Sequence, residues 1–435
     1  MNPSFLALCS LLLVVCARTG HAQESQIDPL EAELAEVRAQ AIRDIVQDVL
    51  AEADTRASLQ SSGMISGWDK NFQIASVDGS FRLKMKGRVQ VRWVLNHAQE
   101  QSTEWGFEQR RVELQFEGNV VDPSLHYGIK FAFSRSTGLA RLEDAFVKKV
   151  FDNGFALKVG AFKAPWMREE LISSGRQLTA ERSLVNGYFS QQYSKGIDLS
   201  WSDDDWRLRG WYGDGIASRG LGYGSQFNST WQTDRTRWAF AGRAEYKFVG
   251  NWKQFKDFSS IRGEEFAAML GVSVMGQKFI GGGTAADPLY SQGTGALQSG
   301  VTADLTLDFG GASLYVAGVF QNDRVANAAG SVETRTPWGA IIQGGVFITD
   351  HHELFARYSY LDASVVSGTG DPTTFNGCTV GMTWFILGHT LKFVTDCSIN
   401  FATFGRYAPS GAGWRSDEPD ADNQWAIRAQ VQLDF

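Results

Sequence analysis

The stretch WAIRAQVQLDF, residues 425–435, alternates without a break. Trp425, Ile427, Ala429, Val431, Leu433 and Phe435 are apolar, and Arg428, Gln430, Gln432 and Asp434 stand between them. Side chains along a strand point alternately to opposite faces, so this is one strand with an apolar and a polar face. FRLKMKGRVQVRW, residues 81–93, repeats the pattern, with Phe81, Leu83, Met85, Val89, Val91 and Trp93 on one face. Arg82, Lys84, Lys86, Arg88, Gln90 and Arg92 form the other. Such strands build either a soluble sandwich or the wall of a membrane barrel.

The links decide between the two. Period two holds from about Phe72 to the end, in sixteen segments running from 80–94 to 425–435. Links after even-numbered segments are mostly short: DNG (152–154), SDDD (202–205), GG (310–311), TDHH (349–352) and ILGH (386–389). Links after odd-numbered segments are longer: 164–194, 213–235, 276–298, 321–337, 361–375 and 401–424. The link 249–264 is a long member of the short set. A sandwich has no reason to alternate in this way. An outer-membrane barrel does, with tight periplasmic turns, long outer loops, apolar residues facing lipid and polar residues facing the lumen. The sequence thus predicts an all-β fold: a sixteen-stranded antiparallel transmembrane β-barrel in the outer membrane, occupying 61–435. The last strand closes against the first, and the terminal Phe435 resembles the signature read by barrel-assembly machinery.

The start of the chain fits export. FLALCSLLLVVCA, residues 5–17, is apolar but too short to span a bilayer, and Gly20-His21-Ala22 suits a small-x-small cleavage site, giving a signal peptide over 1–22. Residues 23–60 read as a periplasmic helical or coiled-coil segment with its linker. Asp28 is a good N-cap, Pro29 falls at the first helical position, and Leu30, Leu34, Val37 and Ala41 follow coiled-coil spacing. Between Glu24 and Arg56 nine acidic residues outnumber three arginines. The whole chain carries a formal charge of −7, which with the absence of a binding motif excludes nucleic acid as a partner.

On a barrel the polar face of each strand lines the pore. The expected pore-lining, anion-binding set is Arg82, Lys84, Lys86, Arg88 and Arg92 from the first strand, with Lys130, Lys158, Arg207, Arg209 and Arg243 from later ones. Glu113, Glu117, Glu245, Asp304, Glu353 and Asp396 also face inward. Fixed cations in a low-dielectric pore attract anions, and the planar fork of Arg suits phosphate or carboxylate. The longest loop, 164–194, carries Arg168, Arg176 and Arg182 among apolar residues such as Trp166, Leu178 and Val185. That content suits burial, so the loop is expected to fold into the barrel and narrow it.

Several stretches resemble the phosphate-selective porin O and P family: 71–93, 107–133, LEDAFVKK (142–149), LKVGAFKAPW (157–166) and 181–201. The resemblance implies a sixteen-stranded, homotrimeric porin with an arginine-rich pore passing small anions such as phosphate. The second half matches only in style. An alternative role is a structural or adhesive barrel tethered to the cell wall by its N-terminal helix. Enzymatic chemistry is not expected, because no Ser, His and acid share one inner face. No cofactor is implied, and His351-His352 in a turn point apart rather than toward a shared metal. Cys378 and Cys397 flank the turn 386–389. Folding that hairpin about Leu387-Gly388 would set them opposite each other, within reach of a disulfide.

Overall fold

The computed structural model describes residues 63–68, 71–135, 137–216, 236–279, 297–326, 332–364, 374–402, 413–415 and 423–435, together with a few positions between 40 and 47. The signal peptide and most of the segment 23–60 lie outside the described residues. Of that segment Gln40, Arg43, Asp44, Val46 and Gln47 are helical and exposed.

Two short strands, β1 (Met64–Trp68) and β2 (Phe72–Ser76), precede the barrel. The wall begins with β3 (Arg82–His97), β4 (Glu104–Asn119), β5 (Leu125–Phe133), β6 (Ala140–Val150) and β7 (Phe155–Phe162). It continues through β8 (Ser194–Ser202), β9 (Trp206–Gly213), β10 (Thr236–Val249), β11 (Ala267–Phe279), β12 (Leu297–Asp308) and β13 (Ala312–Ala326). A short strand, β14 (Val332–Arg335), folds back on the end of β13. Then follow β15 (Trp338–Phe347), β16 (His352–Asp362), β17 (Thr374–Leu387), β18 (Leu391–Asn400) and β19 (Trp425–Asp434). Every neighbour in this wall is antiparallel, and β19 pairs with both β18 and β3, from Trp425 opposite His97 to Asp434 opposite Arg88. The ring is therefore closed, with the sixteen strands expected.

Burial is inverted relative to a soluble protein. Gln90, Thr302, Gln343, Thr383 and Gln432 are buried, while Val159, Leu199, Val274, Ile342 and Val431 are exposed. That pattern requires an apolar solvent outside and a polar lumen inside. A closed ring also leaves no strand edge unpaired in lipid. Aromatic pairs gather at both strand ends. Phe155–Trp201, Trp206–Tyr246 and Phe266–Phe309 lie at the short-link end, and Trp338–Tyr360 lies at the other. These are the interfacial girdles of a membrane barrel.

The seam explains the opening stretch. Phe435 exchanges backbone hydrogen bonds with Gly87, and its ring covers that glycine so closely that a Cβ there would overlap it. Beyond Phe435, residues 72–75 of β2 continue along β3, pairing with Met85 to Arg82.

The expected cysteine pairing is corrected by the register of β17 and β18. Val380 faces Cys397, and Cys378 faces Ile399, two residues out. The turn closes with Thr390 N donating to Leu387 O (3.1 Å), and an irregularity at Ile386 shifts the ladder. The hairpin thus folds about Gly388-His389. Gly388 takes the left-handed conformation that such a turn needs (φ 54°). Both cysteines stay on the outward face, as separate thiols.

Candidate functional site: a pore divided by an in-folded loop

The loop 163–193 runs inside the barrel. It contains helix α1 (Arg168–Leu171), a 3-10 turn (Ser174–Arg176) and helix α2 (Leu184–Phe189). Ser183 caps α2 by accepting from Asn186 N (3.0 Å), and Glu169 accepts from Ser183 N and Oγ (2.7 and 2.5 Å). Gln191 ties the two legs of the loop, donating to Ala164 O (3.0 Å) and accepting from Met167 N (3.2 Å). Trp166 is fully buried, donates to Phe189 O (3.1 Å) and accepts from Ser273 Oγ of β11 (3.1 Å). Val185 fits against Gly339 of β15, where a Cβ would come within 2.8 Å. The apolar residues of this loop were a sound guide to its burial.

The long link 249–264 is a second in-folded segment, entering from the short-link end. Phe255 and Phe258 are buried, and the Phe258 ring packs 4.7 Å from Tyr315. Ser259 Oγ donates to Glu353 (2.7 Å). Arg168 donates to Phe255 O (2.8 Å) and Arg176 pairs with Asp257 (3.1 Å), so the two segments brace each other. Together they fill the lumen beside β10–β19. The space left open, a cavity of about 1130 Å³, lies between the loop and β4–β7, with Arg209 of β9 on its rim.

Nine basic and six acidic side chains line this cavity. Two irregularities in the wall put several of them there. Gln90 of β3 pairs with Arg111, but Val91 pairs with Gln109, leaving Arg110 as an extra residue. A β-bulge of this kind re-aims side chains, and here both Arg110 and Arg111 reach the lumen. Below the bulge Val112, Leu114 and Phe116 alternate with Glu113 and Glu117; above it the exposed apolar residues are Trp105 and Phe107, and Glu108 faces inward. The same happens in β6. Lys130 pairs with Asp144 and Phe131 with Leu142, so Glu143 and Asp144 both line the cavity.

Glu181 of the loop is the anchor. Its Oε1 accepts from Arg92 Nη1 (2.8 Å) and Arg110 Nε, and its Oε2 from Arg110 Nη2 (2.9 Å) and Arg111 Nη2 (3.1 Å). Burial pushes this carboxyl up, but Arg110, Arg111 and Arg92 outweigh it and hold it well below the usual carboxylate range. Glu170 shows the same balance. Burial opposes ionisation, Arg182 and Lys163 favour it, and the carboxyl settles at about 2. Three guanidiniums on one carboxylate leave a surplus of positive charge at the cavity wall.

Of the residues expected to line the pore, Lys130, Lys158, Arg182 and Arg209 face this cavity. Arg88 and Arg92 instead hold the structure together. Arg88 bonds Asp434 (2.7 Å) and Ser174 of the loop (2.8 Å), and Arg92 bonds Glu108 as well as Glu181. Lys86 pairs with Glu117, Arg82 is exposed at the strand start, and Lys84 is half-buried beside it. Arg243 is sealed against Asp304 (2.8 Å) and Glu245 (2.8 Å), with Arg168 alongside. Arg176 sits with Asp257, and Arg207 stacks on Trp252 (3.9 Å). The basic face of the first strand is therefore largely neutralised. Arg110, Arg111, Arg135, Arg141 and Lys163, which period-two reading passed over, carry more of the cavity's positive charge.

Residues 83–270 match the family model described as phosphate-selective porin O and P. No curated protein matches the sequence. Among solved structures, the anion-selective porin from Comamonas acidovorans superposes with a TM-score of 0.52 at 11% identity, covering 81% of this chain and 99% of that one. The outer membrane channel DcaP of Acinetobacter baumannii gives 0.53 at 11% identity, covering 81% and 98%. At such identity these likenesses concern the fold: a porin-type outer-membrane barrel. The matched segment builds strands β3–β10 and the in-folded loop, the part of the molecule that surrounds the cavity, and it is in this part that the chain is similar to the phosphate-selective porin O and P family.

Proposed function

We propose that this outer-membrane porin gives passive diffusion to small anions, phosphate among them, through the basic-lined cavity beside the loop. The observation that carries the reading is the charge of the lining, nine basic side chains against six acidic, in a chain whose overall charge is negative. A cationic excess confined to the narrow part of a low-dielectric passage concentrates anions there. The protein works without a cofactor and without chemistry. It is read as a homotrimer, exported by residues 1–22, with 23–60 as a periplasmic helical segment and assembly directed through Phe435. Reversal potential in a planar bilayer under a potassium chloride gradient tests the selectivity. Chloride preference is expected, and a potassium preference overturns the proposal.

A further inference from the structure

Fifteen charged side chains line the cavity, and thirteen of them are engaged in ion pairs. Arg110 and Arg111 hold Glu181, Lys130 joins Glu113 and Glu143, Lys163 and Arg182 share Glu170, and Arg209 pairs with Asp198. Arg135 pairs with Glu108 and Arg141 with Glu143. Among the described residues the remaining two, Asp144 and Lys158, are in no ion pair. Their signs are opposite.

These two are held next to each other by the wall. Lys158 on β7 lays its ammonium over the rings of Phe146 (3.7 Å) and Phe162 (4.3 Å). Those rings fix its position without neutralising its charge. Ala145 pairs with Ala161, so Asp144 stands beside Phe162, and the bulge in β6 turns its carboxyl to the cavity. A charge in a restricted, low-dielectric space is costly unless it has a partner. The other thirteen are already engaged with fixed partners, so Asp144 and Lys158 are the two lining charges open to a partner brought by a solute.

We infer that Asp144 and Lys158 form a subsite for zwitterionic solutes of the amino-acid type, the solute ammonium at Asp144 and its carboxylate at Lys158. This deepens the porin reading and rests on it, since the cavity must be the diffusion path. A simple anion meets Lys158 but is repelled by Asp144; a zwitterion satisfies both.

The test is the swelling of liposomes carrying the full-length protein, in glycine and in its neutral isomer glycolamide. The two have equal mass, so the ratio of their rates reports charge distribution rather than size. The wild type should admit glycine severalfold faster than glycolamide. Asp144→Asn and Lys158→Gln should each bring the ratio close to one, with the heat-modifiable band on a gel showing that the barrel is intact. A wild-type ratio of one, or a ratio that neither variant changes, overturns the proposal. Chloride preference in the reversal-potential measurement would still stand in that case. Absence of swelling with either solute overturns the diffusion reading and the subsite together.

Discussion

The two halves of the lumen use the same kinds of residue to opposite ends. Beside β4–β7 the charges surround the open cavity, and their ion pairs are partly exposed, as in Arg209 with Asp198 or Arg135 with Glu108. Beside β10–β19 the loop and the link 249–264 displace the water. There Arg243 with Asp304 and Arg428 with Asp396 are sealed, each side chain no more than 2% exposed. A buried pair is no great source of net stability, but removing one partner leaves an uncompensated charge. In the open half the same removal leaves a hydrated one. What a charge does in this barrel depends on which side of the loop it lies.

The largest expected effect comes from emptying the filled half. Deleting 168–184 removes α1, the 3-10 turn and the Glu181 anchor. Single-channel conductance should rise severalfold, while the heat-modifiable band persists because the sixteen-strand ladder is untouched. Unchanged conductance would mean that the loop does not limit the current.

The next contrast is in stability. Asp304→Ala leaves Arg243 and Arg168 to share Glu245 in a dry site, one carboxylate short, and should cost about 3–5 kcal/mol in urea unfolding. Asp198→Ala exposes Arg209 to the cavity and should cost no more than about 1 kcal/mol. Equal losses would erase the distinction between the halves.

Selectivity should follow the same division. Neutralising Arg110 and Arg111 together to Gln removes charge from the cavity wall and moves the reversal potential toward potassium. Arg243→Gln, behind the loop, should leave it in place. A matching shift in both would show that the field of the whole lumen, not the cavity lining, sets the preference.

These contrasts mark how far the sequence could be read. The strand number, the short and long links and the buried loop were all legible, because period two and apolar content are local properties. The lining of the cavity was only partly so. Strict alternation sends one of Arg110 and Arg111 to lipid, and one of Glu143 and Asp144. The cue was present in the apolar spacing. From Phe107 to Val112, and again from Leu142 to Val147, the interval is five residues, an odd number that breaks the phase. The Cys378 to Cys397 register failed because the hairpin turns about Gly388-His389 rather than Leu387-Gly388, and that displacement of the turn moves the whole ladder by two residues. The partners that neutralise Arg88 and Arg92 lie far along the chain, at Asp434 and Glu181, and no local pattern announces them.

The smallest expected effect is an absence of change with pH, and it tests what holds the loop down. Glu170 has an ordinary value of 4.5 and is held at about 2 in the folded protein. A depressed carboxyl contributes its stabilisation in full above the unfolded value and loses it only as pH falls through the folded one. Glu181, held well below the usual carboxylate range by three arginines, follows the same sign. Between neutral pH and about pH 5 neither anchor changes its protonation, so the loop should stay in place and conductance should stay flat. Only as the folded value of about 2 is approached should Glu170 take up a proton, freeing Arg182 and Lys163 and letting conductance rise. A step in conductance near pH 5 would show that the loop is held by groups other than these two carboxylates.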